Sequence, residues 1–138
     1  MRAKEYLSQV SMLNRRIANL QHQLEDLREK LTATGGTDYS RERVKSSPPQ
    51  DMLSDRIAHI VDLEHRLDEQ IDEYIDLRDL ITAQINALED ERYIAVLGMK
   101  YLQGLTLAEV AEEMHYEYKW CCRLHGNALA AFEYKYLS

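Results

Sequence analysis

Two long segments of the chain carry apolar residues at the spacing of one helix face. In the first segment, the spacing alternates between three and four for about three heptads, which is the pattern of a narrow coiled-coil seam. Its members are Val10, Leu13, Ile17, Leu20, Leu24, Leu27 and Leu31. The composition of residues 32–50, with two adjacent glycines and the pair Pro48-Pro49, predicts that this helix ends there and that a loop follows.

A second periodic segment runs from about Gln50 to Leu88. The residues that share its main face are Leu53, Ile57, Ile60, Leu67, Ile71, Tyr74, Ile81, Ile85 and Leu88. Further apolar residues widen this stripe, namely Val61, Leu63, Ile75, Leu77 and Leu80. A stripe of that width predicts a helix that contacts at least two neighbours. Residues 1–88 therefore predict two long amphipathic helices joined by the 32–50 loop, paired within one chain or exchanged in a dimer.

Residues 89–138 have shorter elements. A helix that ends at Gly104 is followed by a capping box formed by Thr106 and Glu109, and then by a two-turn helix from Leu107 to Met114. A turn at residues 115–117, with His115 in the left-handed conformation, leads into a helix over residues 118–136. The inward residues of that helix are expected to be Cys121, Leu124, Ala128 and Phe132. This order predicts a helix-turn-helix, with a plain helical bundle as the alternative.

The overall prediction is an all-α protein in which a long helical hairpin or coiled coil is followed by a C-terminal helix-turn-helix domain. Its formal net charge is −7, and the charge is uneven. Residues 1–50 carry nine basic and six acidic side chains, residues 51–88 three and ten, and residues 89–138 five and eight. Because non-specific DNA affinity comes from neutralised phosphates, this balance excludes a general nucleic-acid binder, and any DNA contact must be local.

Other classes of protein are also disfavoured. No run approaches the roughly 18 apolar residues of a membrane span, and the start of the chain does not resemble a signal peptide, so we expect a cytoplasmic protein without membrane contact. The neighbouring His115, Cys121, Cys122 and His125 lack a second ligand pair, which argues against a metal site. No nucleophile, base and orienting group can be assembled, and we expect neither an enzyme nor a cofactor.

The segment from Arg92 to Phe132 contains short motifs that resemble those of a known family. They are Lys100-Tyr101-Leu102-Gln103-Gly104, then Thr106-Leu107-Ala108-Glu109-Val110-Ala111, then Arg123-Leu124-His125 and Ala128-Leu129. This segment resembles region 4 of sigma-70 factors, which reads promoters. Together with Asp38-Tyr39-Ser40, Val61-Asp62-Leu63-Glu64, Ile71-Asp72, His115-Tyr116 and Trp120, the chain resembles small phage and prophage proteins of a domain-of-unknown-function family, with relatives among phage late-gene transcription activators.

The resemblance implies a phage or prophage transcription regulator that binds double-stranded promoter DNA. Carried over by position, the DNA-facing residues are Tyr118, Lys119, Cys122 and Arg123, with Gly126 and Asn127 near phosphate. It also implies RNA polymerase contact through the exposed side of residues 92–113. Glu117 departs from the family pattern, because Ser or Thr is the more usual cap there, and a glutamate caps poorly and repels phosphate. Homodimerisation through the N-terminal helices is expected to supply further affinity.

Two alternatives stay open at this point. One is a phage DNA-packaging adaptor similar to small terminase subunits, in which the coiled coil builds a ring. The other is a helical interaction protein that does not bind DNA, which the acidic balance and Glu117 favour. The ring of Tyr116 and the indole of Trp120 are expected to pack within the protein and lock the turn, rather than to stack on DNA bases.

Overall fold

The computed structural model describes residues 2–36 and 50–138, and describes the backbone alone at residues 33–36 and 50. The described residues form five α-helices, which are α1 (Ala3–Gly36), α2 (Gln50–Asn86), α3 (Glu91–Leu97), α4 (Leu107–Met114) and α5 (Tyr118–Tyr136). A π-helical segment, Gly98–Leu102, continues α3. The described residues form no strand, so the predicted all-α fold is confirmed. None of these helices is both long enough and apolar enough to cross a membrane.

The first long helix extends further than the loop prediction allowed. Helix α1 continues through Gly35 and ends at Gly36, so the first residues of the predicted 32–50 loop are helical. Glycine lowers helix stability by only about 1 kcal/mol relative to alanine, which a last turn tolerates. The rest of that predicted loop, residues 37–49, lies outside the described residues. Helix α2 begins at Gln50, as predicted.

The chain divides into two compact units. The larger unit comprises Met1–Asn14 and Glu73–Ser138, and the smaller comprises Arg15–Asp72. The larger unit therefore contains the start of α1, the end of α2 and all of the short helices. The described residues of the smaller unit belong to parts of the two long helices.

The core of the larger unit draws residues from every one of its helices. Helix α5 crosses this core with Cys121, Leu124, Ala128 and Phe132, which confirms the predicted inward positions. The Phe132 ring lies 5.9 Å from the Tyr6 ring and 4.9 Å from the Tyr136 ring, centroid to centroid. The other buried members are Ala3, Leu7, Val10, Ile81, Ile85, Leu88, Val96, Leu97, Tyr101, Val110 and Ala111.

The smaller unit is an antiparallel pair of helices. Leu31 of α1 lies beside Arg56 of α2, whereas the earlier Arg28 reaches the later Glu64, so sequence order runs in opposite directions along the pair. Arg28 Nη2 lies 2.7 Å from Glu64 Oε2, and both side chains are about half exposed. Its core cluster is formed by the buried Leu24, Ile60 and Leu63, with Leu20, Leu27, Leu31 and Leu67 packed around them. This pairing is the predicted helical hairpin.

The second apolar face of α2 does not have the neighbour that its sequence predicted. Leu63 is buried and Leu77 packs against the core of the larger unit. In contrast, Val61 is 42% exposed, Ile75 48% and Leu80 51%. The prediction that α2 buries more than one side is therefore wrong for these three positions in the single chain, because the described helices cover only one side of them.

The start of α4 is fixed by reciprocal hydrogen bonds. Thr106 Oγ1 accepts from the Glu109 backbone N–H at 3.2 Å, and Glu109 Oε1 accepts from the Thr106 N–H at 3.0 Å. These bonds with Thr106 hold the pKa of Glu109 below its ordinary value. The predicted capping box is confirmed, and Leu105 and the buried Val110 stand at the positions of a hydrophobic staple.

Removing this cap has a defined cost. Thr106→Ala is expected to lower the free energy of unfolding by about 1 kcal/mol, because the Glu109 backbone N–H at the helix start loses the hydroxyl that accepts from it. Urea unfolding followed by circular dichroism measures this difference. Thr106→Ser is the matched control and should keep most of the stability, since it retains the hydroxyl. An equal loss in both variants would contradict the capping role.

Candidate nucleic-acid interface

The turn between α4 and α5 has the geometry of a Schellman motif. His115 adopts the left-handed conformation, with φ 60° and ψ 41°, as its position in the sequence predicted. The Tyr116 N–H donates to the Ala111 carbonyl at 2.9 Å, and the His115 N–H donates to the Glu112 carbonyl at 3.2 Å. These two bonds satisfy the last carbonyls of α4 and turn the chain sharply. Because a helix follows after two further residues, α4 and α5 form a helix-turn-helix.

A glycine would occupy the left-handed position at lower cost. His115→Gly is expected to raise the free energy of unfolding by about 0.5–1 kcal/mol, because a side chain is strained at positive φ and glycine is not. Urea unfolding detects this change. His115→Ala serves as the control, since it removes the imidazole but keeps the Cβ strain, and it should not stabilise the protein. If alanine stabilised the chain as much as glycine, the strain argument would fail.

The N-terminus of α5, which follows this turn, is not capped by a side chain. Glu117 is the N-cap residue in an extended conformation, with φ −64° and ψ 147°, and its side chain makes no capping hydrogen bond. The first helical bond runs from the Cys121 N–H to the Glu117 carbonyl at 2.9 Å. The sequence expectation that Glu117 is a poor cap is therefore confirmed. The carboxylate stands at the positive end of the helix dipole without satisfying its amides.

The candidate DNA-facing side chains lie on the side of α5 that points away from the core. Lys119 and Arg123 are exposed and one helical turn apart, and Gly126 and Asn127 are exposed on the next turn. The set from Tyr118 to Asn127 spans about 14 Å of helix. We call the exposed residues Lys119, Arg123, Gly126 and Asn127 the α5 outer face. The structure brings these residues together, and their contact with DNA stays a prediction.

Two of the predicted contact residues lie at the edge of this face. Tyr118 is 55% exposed, and Cys122 is half-buried one turn later. A hydrogen bond with the Cys122 side chain raises the pKa of Tyr118. The pair therefore forms a neutral, partly apolar flank beside the basic pair of the α5 outer face, a chemistry suited to a thymine methyl or a sugar.

The two aromatic residues near the turn, Tyr116 and Trp120, differ in their burial. Tyr116 packs against the core of the larger unit, as expected. Trp120 is 40% exposed, so the expectation that its indole locks the turn is wrong. The reason is helical geometry, because each residue turns the side chain by about 100° and position 120 falls at the edge of the buried face. Trp120 thus borders the α5 outer face on the side opposite Tyr118.

The cysteines and histidines of this region do not assemble a metal site. Within the part of the chain that the structure describes, no three His, Cys, Asp or Glu side chains come together in a group able to hold a metal ion. The Cys121 thiol is buried and donates to the Leu107 carbonyl at 3.7 Å. Burial raises the pKa of Cys121, which keeps this thiol protonated. Cys121 is thus a packing residue between α4 and α5.

His125 is the residue that sequence reasoning missed. It is 8% exposed, and its Nε2 lies 2.8 Å from the Tyr101 hydroxyl, with the two rings stacked at 5.7 Å between centroids. Burial raises the pKa of Tyr101 to about 12, so its hydroxyl stays protonated beside the imidazole. Burial also lowers the pKa of His125, with smaller contributions from Lys100 and Lys4. The spacing of Cys121, His125, Ala128 and Phe132 was the available signal, because it is a heptad alternation of four, three and four.

Carboxylates surround the turn on its solvent side. Glu112, Glu113 and Glu117 are all exposed within six residues of chain. Their charge opposes a DNA backbone near the start of α5, whereas Lys119 and Arg123 attract it. The site can therefore contact DNA over a short stretch, with modest affinity from one copy of the chain.

Comparisons with known proteins do not place the chain in a family. No protein-family model, no curated protein and no solved structure matches it.

Proposed function

We propose that this chain is a phage or prophage transcription regulator that binds promoter DNA through the α5 outer face. The observation that carries the proposal is the Schellman turn at His115, which leads directly into a helix whose side away from the core presents Lys119 and Arg123. The resemblance of this segment to sigma region 4 supports the same reading. Regulation of this kind is expected to take place in the cytoplasm.

In this mechanism the first half of α5 enters the major groove. Lys119 and Arg123 are the side chains with reach and charge for guanine edges or for phosphates. Gly126 has no side chain, so the helix backbone can approach the DNA closely at that point. Asn127 is placed to donate to a phosphate oxygen or to a base edge. Tyr118 and Cys122 cover the sugar and methyl groups beside them.

A second copy of the chain and RNA polymerase are proposed to supply the remaining affinity. In the smaller unit, Ile57 is 48% exposed and Val61 42%, one turn apart on the same side of α2. The core cluster of this unit has three buried members among its described residues, so pairing with a second hairpin would add burial to a small core. A dimer would place two copies of α5 on two half-sites. The exposed side of residues 92–113 is the proposed polymerase surface.

The DNA proposal is tested by a salt-titrated binding assay on promoter fragments of the element that encodes the chain. Arg123→Ala and Lys119→Ala are each expected to weaken binding by about 1–3 kcal/mol, which is roughly 5- to 150-fold, and to reduce the steepness of the salt dependence. Lys135→Ala is the matched control, because Lys135 is an exposed cation of the same helix outside the α5 outer face. Equal effects of all three substitutions, or no effect of any, would reject the groove assignment.

The dimer proposal is tested by sedimentation equilibrium. We expect the chain to be a dimer and the double variant Ile57→Lys with Val61→Lys to be a monomer of unchanged helix content, because charges cannot be buried in an apolar interface. Ala58→Lys adds one lysine at an exposed position next to the stripe and should stay dimeric. A monomeric unmodified chain would contradict the dimer. A ring of eight or more subunits would instead indicate the packaging alternative.

A helical interaction protein without DNA binding is the second candidate. The specific observation in its favour is the set of exposed carboxylates on both sides of the turn before α5, where phosphate would have to approach, namely Glu112 and Glu113 at the end of α4 and Glu117 at the start of α5. This candidate predicts no measurable promoter binding even at low salt. The same assay therefore separates the two functions before any variant is made.

A further inference from the structure

A shallow groove lies in the larger unit between the start of α3 and the last turns of α5, away from the α5 outer face. Its volume is about 420 Å³. The floor is formed by the apolar side chains of Leu88 and Ala131, and the walls include the rings of Tyr93 and Tyr134. The charged residues that complete its lining are Glu89, Asp90 and Lys135. We call this feature the tyrosine groove.

Tyr134 is the most exposed of the large hydrophobic side chains in the described residues, and it borders the apolar part of the tyrosine groove. It is 83% exposed, whereas its neighbours along α5, Phe132 and Tyr136, are packed into the core. Tyrosine is enriched at protein interfaces because its ring buries a large area while few rotatable bonds are ordered. An exposed tyrosine beside an apolar floor is therefore typical of a surface that a partner covers.

The charges at the rim of the groove favour a cationic partner. Asp90 accepts hydrogen bonds from the Arg92 backbone and guanidinium, which holds the pKa of Asp90 below its ordinary value and keeps it ionised. Glu89 is exposed at the same rim. Lys135 donates from Nζ to the Ala87 carbonyl at 2.7 Å, so its ammonium is turned toward the backbone. Because Asp90 is paired with Arg92, the carboxylate of Glu89 and the negative faces of two tyrosine rings are the groups of the described lining that remain to attract a positive group.

We propose that the tyrosine groove binds a protein partner through a segment that carries an arginine or lysine next to an aliphatic residue. The aliphatic side chain packs on Leu88 and Ala131, and the cation lies against the rings of Tyr93 and Tyr134 with Glu89 as its counter-ion. This arrangement uses both the apolar floor and the charge of the rim. It assigns a protein-binding surface that lies further along α5 than the residues proposed to face DNA.

The position of the groove allows both surfaces of α5 to be used at once. Arg123 and Tyr134 are eleven residues apart on one helix, which corresponds to about 16 Å. A segment held at the end of α5 leaves the first turns of that helix accessible. The groove proposal does not depend on DNA binding, since its residues and its test are independent of the α5 outer face.

Peptide display on the full-length chain tests the composition of the partner. A random peptide library is selected on the unmodified chain and counter-selected on Tyr134→Ala, whose exposed side chain is not part of the core. Enriched peptides should carry arginine or lysine adjacent to leucine, isoleucine, valine or methionine. Enrichment of acidic or purely apolar peptides would overturn the proposal, as would binders indifferent to Tyr134→Ala or a selection that yields none.

A titration then measures the contribution of each wall. The most enriched synthetic peptide is titrated into isotopically labelled full-length chain and followed by NMR. Tyr134→Ala is expected to weaken binding of this peptide roughly tenfold or more. Glu89→Lys is also expected to weaken binding of this peptide. The same Glu89→Lys variant should bind more tightly than the unmodified chain to a second peptide in which the basic residue is replaced by glutamate. Tyr118→Ala, at the other end of α5, is the matched control and should leave the affinity unchanged. Equal losses for Tyr118→Ala and Tyr134→Ala would reject the groove as the binding site.

Discussion

Replacing Phe132 by alanine is expected to lower the free energy of unfolding by about 3–5 kcal/mol. Phe132 is fully buried and lies between the rings of Tyr6 from α1 and Tyr136 from α5. The substitution removes most of an aromatic side chain from a core that these helices share, so it loses the burial energy and also leaves a cavity. Domains are stable by only about 5–15 kcal/mol, and the loss is therefore a large share of the total.

Urea unfolding followed by helical circular dichroism measures this prediction, and two variants control it. Phe132→Leu keeps an apolar side chain of smaller volume and should cost clearly less than alanine, because the cavity is smaller. Tyr134→Ala removes a ring two residues away that is 83% exposed, and its effect should stay within about 0.5 kcal/mol. A Phe132→Ala loss no larger than that of Tyr134→Ala would mean that the core does not depend on this ring.

The elements that the sequence predicted correctly are those specified by local chemistry. The Thr106–Glu109 capping box and the left-handed His115 each involve backbone groups within a few residues of the side chain that decides the conformation. The same holds for the inward residues of α5, because a helix with one apolar stripe has one way to face a core. These features fix the turn and the exposure of Lys119 and Arg123, and most of the candidate interface was therefore predictable.

The π-helical segment was not predictable, because distant residues stabilise it. Its five-residue bond runs from the Gln103 N–H to the Gly98 carbonyl at 3.0 Å, and the turn that follows is closed by the Leu105 N–H, which donates to the Met99 carbonyl at 3.0 Å. The Leu102 carbonyl is left for Arg78 of α2, whose Nη1 donates to it at 2.9 Å. A wide turn is most stable where neighbouring groups satisfy the carbonyls that it releases. A sequence pattern shows neither the arginine 24 residues earlier nor the need for it.

The predicted burial of a second face of α2 was wrong for a related reason. Apolar periodicity reports that a side chain is suited to burial, and it does not report which molecule buries it. Leu63 finds its neighbour in α1 of the same chain, whereas Val61 does not. The tyrosine groove could not be predicted either, because it forms between the start of α3 and the last turns of α5 and its residues share no period. Both surfaces are suited to contact with a partner, and the pattern of a single chain does not show which partner that is.

The stability of the protein is expected to fall on mild acidification because of His125. Its imidazole is buried against Tyr101, and burial lowers its pKa below the ordinary value of 6.5. The unfolded chain, with an ordinary pKa, therefore takes up a proton on His125 before the folded chain does. Protonation favours the unfolded state as the pH falls below about 6.5, and the loss continues down to the lowered pKa of the folded state. One histidine contributes at most about 1.4 kcal/mol for each pH unit in that range.

Urea unfolding at pH 7.5, 6.5 and 5.5 compares the unmodified chain with His125→Gln, whose amide can still bond to the Tyr101 hydroxyl but does not titrate. The variant should be less stable at pH 7.5 and lose less stability on acidification, so that the two free energies converge toward pH 5.5. Tyr101→Phe separates the hydrogen bond from the titration, because it leaves the imidazole buried and unpaired at a cost of about 1–3 kcal/mol. Parallel curves for the unmodified chain and His125→Gln would show that His125 does not control the acid response, whereas convergence would tie the packing of α5 on the π-helical segment to one neutral imidazole.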